Sequence, residues 1–420
     1  MILRIASPLI LAWAALSTTL APAAEPAAPF RIQLDTVREG YDGKTCFVQA
    51  RAGIVPRANQ PPIVVMTMNP LVVTGSDVYL TVHDMRSDDL GKTWTGPTKH
   101  DTLARRPDDP INGKPAEIGI CDLWPKWHAK TGKLLNIGHV VRYTDDKGPA
   151  KGVRRETCYT IYDPDARTWT PWKRILLPGS DQTYPAGAGC AQRVDLADGD
   201  ILLPVYGGQR LADDPFSAAR VIRLRFDGAT LSVVEEGNEL RQDTKRGFAE
   251  PSLTRFRGNY FLAIRHDDAG YCATSDDGLH FGKPHPWLWD DGTDLGNYNT
   301  QTHWVTHDDA LFLVYTRRGA NNDHVFRNRA PLFMAQVDPT TLRVQRATER
   351  VLIPEHGARY GNFGVTEVSE NETWVTETEW MQIWKQPSNI IPVDNPYGAR
   401  NRVYAARILW EKPNTTWDKR

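Results

Sequence analysis

Long apolar runs are missing from this chain once its first two dozen residues are passed. No later stretch is long and apolar enough to cross a bilayer. Clustered positive charge is also missing. The net charge is −1, and no basic run with interleaved aromatics occurs, which excludes a nucleic-acid groove and any general field that recruits anionic surfaces. Cysteine is scarce: five residues with no C-x-x-C spacing, which leaves a structural zinc site without support and one thiol unpaired at the least. There is no closely spaced ligand set, so no metal or other cofactor is expected. Extended helical periodicity and low-complexity linkers are absent as well.

What is present at the start reads as an address. Arg4 carries positive charge, Ile5 to Leu20 is mostly apolar, and Ala21-Pro22-Ala23-Ala24 offers small residues for cleavage. The expectation is a signal peptide over 1–24 and a single domain over 25–420, exported to the periplasm or beyond the cell. An exported chain permits disulfides, but buried small hydrophobes is the simpler reading for most of these cysteines.

Short alternating strands separated by Gly, Asp, Asn and Pro dominate the rest. Ser87-Asp88-Asp89-Leu90-Gly91-Lys92-Thr93-Trp94 reads Ser-x-Asp-x-Gly-x-Thr-Trp, the Asp-box pattern. Ser87 and Asp89 can bond the amides of a tight turn, and Gly91 can supply a backbone angle closed to other residues. A degenerate clip follows at Asp163 to Trp169 and a shortened one at Ser275 to Phe281. A unit of opening strand, polar turn and very apolar second strand recurs over Ala50–Met68, Ile118–His139, Gly187–Val205, Gly247–Arg265, Tyr298–Thr316 and Tyr360–Trp380. Six copies at roughly 50–70 residue spacing predict an all-β, six-bladed β-propeller of four-stranded antiparallel blades. The early strand Phe30–Val37 and the late strand Asn401–Trp410 are expected to share the last blade and close the ring.

Opening strands of a propeller line its axis, so their first residues should crowd one pocket. Those are Arg51, Cys121 and Asp122, Tyr184, Glu250, Thr300 to His303, and Tyr360 to Asn362. A carboxylate such as Glu250 at the start of an inner strand is costly unless paired.

The Asp box and FAEPSLTRFRGNYFLAIR together resemble the sialidase (neuraminidase) superfamily across the mature length. The resemblance implies an exo-acting, retaining glycoside hydrolase that removes a terminal acidic sugar, acting as a monomer on an acidic glycan. It implies that Arg51, Arg265 and Arg329 clamp the substrate carboxylate, with Arg31 a rival for the first and Arg327, Arg317 or Arg318 for the third. It further implies Tyr360 as nucleophile, Glu250 as its base, Asp77 as acid/base, and Glu379 or Glu377 as the group steadying Arg51. A phenol suits such a substrate because a carboxylate nucleophile would be repelled.

Two other readings stay open. His128, His139, His303 and His324 lie on or near inner strands. With Tyr184 they suggest a propeller lyase, in which His303 above all would remove the proton alpha to a uronate carboxylate. The third reading is a glycan-binding propeller without catalysis.

Overall fold

The computed structural model describes residues 26–153, 155–179, 181–208, 216–385, 389–393 and 396–416, so the expected signal segment lies outside the described residues. Six antiparallel sheets form the blades of a β-propeller. Blade 1 runs through Thr45–Val55, Ile63–Val72, His83–Ser87 and Thr95–Lys99. Blade 2 is built on Lys114–His128, Lys133–Tyr143 and Thr157–Asp163. Blade 3 is Val194–Asp195, Ile201–Gly208, Ser217–Phe226 and Leu231–Glu236; blade 4 is Ala249–Phe256, Asn259–Arg265, Tyr271–Ser275 and His285–Pro286. Blade 5 is built on His303–His307, Ala310–Tyr315 and Leu332–Asp338, and blade 6 on Gly364–Ser369, Glu372–Thr378 and Val403–Trp410.

Four sheets have the expected four strands, whereas those of blades 2 and 5 have six. In blade 2, Arg106–Ile111 pairs with the inner strand, and in blade 5 Leu288–Trp289 adds in parallel to Arg343–Val344. The repeat could not show these strands, because they are short additions outside the shared unit.

Ring closure follows the expected route. Phe30–Arg38 pairs antiparallel with Val403–Trp410, from Phe30 opposite Trp410 to Arg38 opposite Val403. The first and last described strands thereby share one sheet, and blade 6 meets the inner strand of blade 1 through Thr366 and Thr376, whose hydroxyls donate to the carbonyls of Ala52 and Ala50. Apolar clusters fill the space between successive blades, so each blade relies on its neighbours for burial. Among the described residues no helix is long and apolar enough to cross a membrane.

The turn at Ser87–Trp94 is clipped by its side chains. Ser87 Oγ accepts from the Gly91 amide at 2.7 Å, and Asp89 Oδ1 accepts from Thr93 N at 2.9 Å. Gly91 has φ 81°, and a Cβ there would meet Trp374 at 2.6 Å. Ser275–Phe281 repeats the arrangement: Ser275 Oγ accepts from Gly278 N at 2.9 Å, and Asp277 Oδ1 from Leu279 N and His280 N at 2.8 Å. These clips stand on the outer rim and fix hairpins, away from the axis.

Candidate functional site: an arginine-lined cleft on the axis

Every blade opens with one residue in the left-handed region of backbone space. They are Gln49 (φ 63°), Asp122 (54°), Cys190 (65°), Glu250 (45°), Asn299 (51°) and Gly361 (125°). Three of these kinks are bulges within the inner strand, where the register slips between Val48 and Arg51, Cys121 and Trp124, and Ala249 and Ser252. Two residues past each kink come Arg51, Trp124, Gln192, Ser252, Gln301 and Phe363. This second rank meets around the axis and plugs it. Arg51 donates to Gln301 Oε1 at 3.2 Å and lies 5.6 Å from the Trp124 ring. His303 is wedged edge-on between Trp124 and Phe363, at 4.8 and 4.6 Å.

Above that plug is a cleft of about 390 Å³, lined by Asp77, Asp122, His139, Arg155, Tyr206, Glu250, Arg265, Arg327, Arg329, Arg359 and Trp380 among others. A larger groove of about 840 Å³ runs past Gln33–Arg38 and Trp94 on the rim, but no comparable set of charged groups converges there.

Three arginines in the cleft are buried, Arg265, Arg329 and Arg359 at 8%, 6% and 4% exposure. Asn299 organises two of them. Its Oδ1 accepts from Arg265 at 2.6 Å and from Arg327 at 3.3 Å, and its carbonyl accepts from Arg329. Asn tolerates the left-handed backbone that turns both of its oxygens toward these cations. Arg359 donates to Gln382 Oε1 at 2.7 Å and lies 4.6 Å from the Trp380 ring. Among the described residues the Nε groups of Arg265, Arg329 and Arg359 have no protein acceptor, and Glu250 Oε2 has no protein donor.

The charges explain what such a site wants. Burial opposes the cation on Arg265, but Glu250 beside it more than restores it. Glu250 in turn is held below the usual carboxylate range: burial pushes its pKa up, and Arg265 outweighs that. Among the described residues Arg329 forms no ion pair. Burial, then Arg265, Arg359 and Arg327, press its pKa well down. Arg327 falls to about 10, from burial and then the same kind of repulsion. A guanidinium does not give up its proton in a protein, so the crowding leaves uncompensated positive charge in the cleft.

Across the cleft floor, Asp122 accepts from Arg51 at 3.3 Å, Asn362 at 3.0 Å and the Cys190 thiol at 2.8 Å. Burial raises its pKa, but His139 and Arg51 overcome that and keep it ionised. Cys121, Asp122 and His139 bring three metal-capable atoms within 4.8 Å of one another. The group is already satisfied as a hydrogen-bonded set. Arg51 and Asn362 occupy Asp122 Oδ1, and Arg155 donates to His139 Nδ1 at 3.2 Å, where a metal-bound imidazole would carry its own proton. The His139 proton therefore belongs on Nε2, facing Asp122 Oδ2 at 3.3 Å.

Of the residues marked in the sequence, Asp77, Glu250, Arg265 and Arg329 converge in this cleft, and Cys121, Asp122, His139, Arg327 and Asn362 line it with them. Arg51, Tyr360, Glu379, His303 and Tyr184 do not. Arg51 belongs to the rank below, fully buried, with Nε donating to the Phe363 carbonyl at 3.1 Å. Tyr360 precedes the Gly361 kink, so its ring turns into the core between blades 5 and 6 and its hydroxyl donates to the Pro354 carbonyl at 2.6 Å. Glu379 accepts from Arg402 at 3.0 Å and Tyr404 at 2.7 Å, rather than from Arg51. His303 is part of the axial plug, bonded to Ser252 and to Gln301 at 2.9 Å. Tyr184 packs between blades 2 and 3, its hydroxyl 3.3 Å from Glu236.

Sequence reading missed Arg359, Asn299, Tyr206 and Arg155. Arg359 directly precedes Tyr360, and Asn299 precedes the Thr300 to His303 segment, so a one-residue shift in locating the kink hid both. Tyr206 and Arg155 lie beyond the opening strands, where no pattern pointed.

The fold and site define a six-bladed propeller with a cation-rich axial cleft. No family model matches the chain, and no curated protein matches it. Solved structures do. A protein of unknown function from Dyadobacter fermentans superposes with a TM-score of 0.59 at 13% identity, over 90% of this chain and 99% of that one. The K499G mutant of NanB sialidase from Streptococcus pneumoniae gives 0.57 at 11% identity, over 94% of this chain and 72% of that one. Trypanosoma rangeli sialidase gives 0.54 at 12% identity over 89% of this chain, which spans 59% of that protein's length. At these identities the likeness is one of fold.

Proposed function

We propose that the protein takes the carboxylate of an acidic sugar into the axial cleft and hydrolyses its glycosidic bond, as an exported enzyme of sialidase-like architecture. The observation that carries this reading is the trio of buried arginines whose Nε groups lack acceptors, in one cleft with Glu250 and Asp77. Arg265, Arg329 and Arg359 would hold the carboxylate, with Arg359 where Arg51 was expected. Asp77 would protonate the departing oxygen. Tyr206, in the cleft near Glu250, replaces Tyr360 as the candidate phenol. Its oxygen would attack the anomeric carbon as the glycosidic C–O bond breaks, with its proton passing to Glu250. Water activated by Asp77 would then release the sugar with retention.

The test is turnover of sialosides and uronides by wild type, Asp77→Asn, Tyr206→Phe and Tyr360→Phe. Loss of at least a hundredfold in the first two variants, with Tyr360→Phe near wild type, supports the assignment. Full activity of Tyr206→Phe removes the phenol from the mechanism.

A β-elimination reading has its own support, because the imidazole of His139 and the phenol of Tyr206 are neighbours in the cleft, ring centres 6.3 Å apart. In that chemistry one of them, rather than His303, would take the proton alpha to a uronate. An unsaturated product absorbing in the near ultraviolet would select elimination over hydrolysis. Tight binding without any product would leave a glycan-binding propeller.

A further inference from the structure

The cationic groups of the cleft stand on two walls. Arg265, Arg329 and Arg359 belong to the arc of blades 4 to 6. Arg155 comes from blade 2, just ahead of Thr157–Asp163. In a closed ring of six, blade 2 stands across the axis from blade 5, which presents Arg329. The electrostatic neighbours agree. Arg155 feels Tyr206, Glu250, Cys121 and Asp122, whereas Arg329 feels Arg265, Arg359 and Arg327. Glu250 is an electrostatic neighbour of both.

Arg155 also differs from two other guanidinium groups that line the cleft. Arg142 is tied to Asp108 and Glu156, each at 2.6 Å, and Arg246 to Asp267 at 2.7 Å. Among the described residues Arg155 has no carboxylate within ion-pair distance. Its contacts are His139 Nδ1 at 3.2 Å and the Tyr206 ring at 4.9 Å, and it is exposed to the cleft. An anion held at Arg329 on blade 5 leaves Arg155 on blade 2 with no carboxylate of its own.

We propose that the ligand is a glycan with two anionic groups, one held by Arg265, Arg329 and Arg359 and the second, on the neighbouring sugar or as a substituent, held by Arg155 across the axis. The proposal rests on the cleft being an acidic-sugar site. It narrows the substrate class from a terminal acidic sugar to a polyanionic glycan. A planar guanidinium receives either a carboxylate or a sulfate ester through paired N–H donors, so both sources share the required chemistry.

Calorimetric titration with three probes tests this: the methyl glycoside of a uronic acid, a diuronide, and a sulfated monouronide. Wild type should bind at least one dianionic probe tenfold or more tighter than the monoanion, and which one identifies the second group. Arg155→Gln should reduce that preference to within about threefold and leave monoanion affinity within about twofold, while Arg155→Lys keeps part of the preference. Arg329→Gln should weaken all probes tenfold or more. Wild type without a preference for either dianion, or Arg155→Gln weakening all probes alike, overturns the second subsite and leaves the acidic-sugar reading intact. Wild type binding none of the three sinks that reading and the proposal with it. Unchanged circular dichroism and melting temperature in the Arg155 variants confirm that the comparison is made on folded protein.

Discussion

Arg265 Nη1 donates to Glu250 Oε1 at 2.5 Å, yet among the described residues Arg265 Nε and Glu250 Oε2 have no protein partner. The pair is half satisfied. A purely structural salt bridge at this depth would be expected to use its remaining donors and acceptors, since an unmet buried polar group costs about 1–3 kcal/mol. Both residues line the cleft, so the unmet atoms lie in its wall.

Anion binding should depend on the arginines without carboxylate partners. Arg329→Gln is expected to weaken an acidic sugar by roughly 10- to 100-fold, which is what losing a charged hydrogen bond of about 1.5–3 kcal/mol produces. The measurement is titration calorimetry at two salt concentrations. The loss should persist at high salt, because the Arg329 side chain is shielded within the cleft.

Tyr360→Phe separates a catalytic from a structural phenol. The hydroxyl bonds the Pro354 carbonyl inside the core. Its removal should lower stability by roughly 1–3 kcal/mol in denaturant unfolding and leave turnover within about twofold of wild type. A collapse of turnover in a stable Tyr360→Phe protein would contradict this placement.

Arg51 should likewise register in stability rather than in substrate affinity. It forms a buried ion pair with Asp122 beneath the cleft. Arg51→Met leaves the Asp122 charge with less compensation, at an expected cost of about 3–5 kcal/mol. A folded Arg51→Met protein with only a raised KM would return Arg51 to the clamp.

Glu377 gives the pH dependence a sign. Burial raises its pKa from 4.5 to about 7, against the opposing pull of the Gly361 and Thr378 amides and of Arg51. Its folded-state value lies above its unfolded one. The favourable contribution is therefore full below about pH 4.5 and is lost as pH rises through about 7, a change on the order of 3 kcal/mol. Melting temperature measured from pH 5 to 8 should carry this decline, and Glu377→Gln should flatten it. An identical slope in the variant would assign the dependence to other groups.

The sequence by itself determined the ring and its closure. Period-two apolar strands, turns such as Thr131-Gly132 and Asp308-Asp309, and the rim clips are local devices, and local devices repeat legibly along a chain. It also marked Asp77, Glu250, Arg265 and Arg329. What only the tertiary structure decided was which residue of each opening strand faces the ligand. One left-handed residue per blade sets that, and a shift of one or two positions sends Arg51 into the axial plug and Tyr360 into the core while bringing Arg359 and Asn299 forward. Side chains alternate along a strand, so a small slip in register exchanges cleft for core. Contacts across the axis, such as Arg51 with Gln301 and Asn362 with Asp122, join blades distant in sequence and carry no local signature.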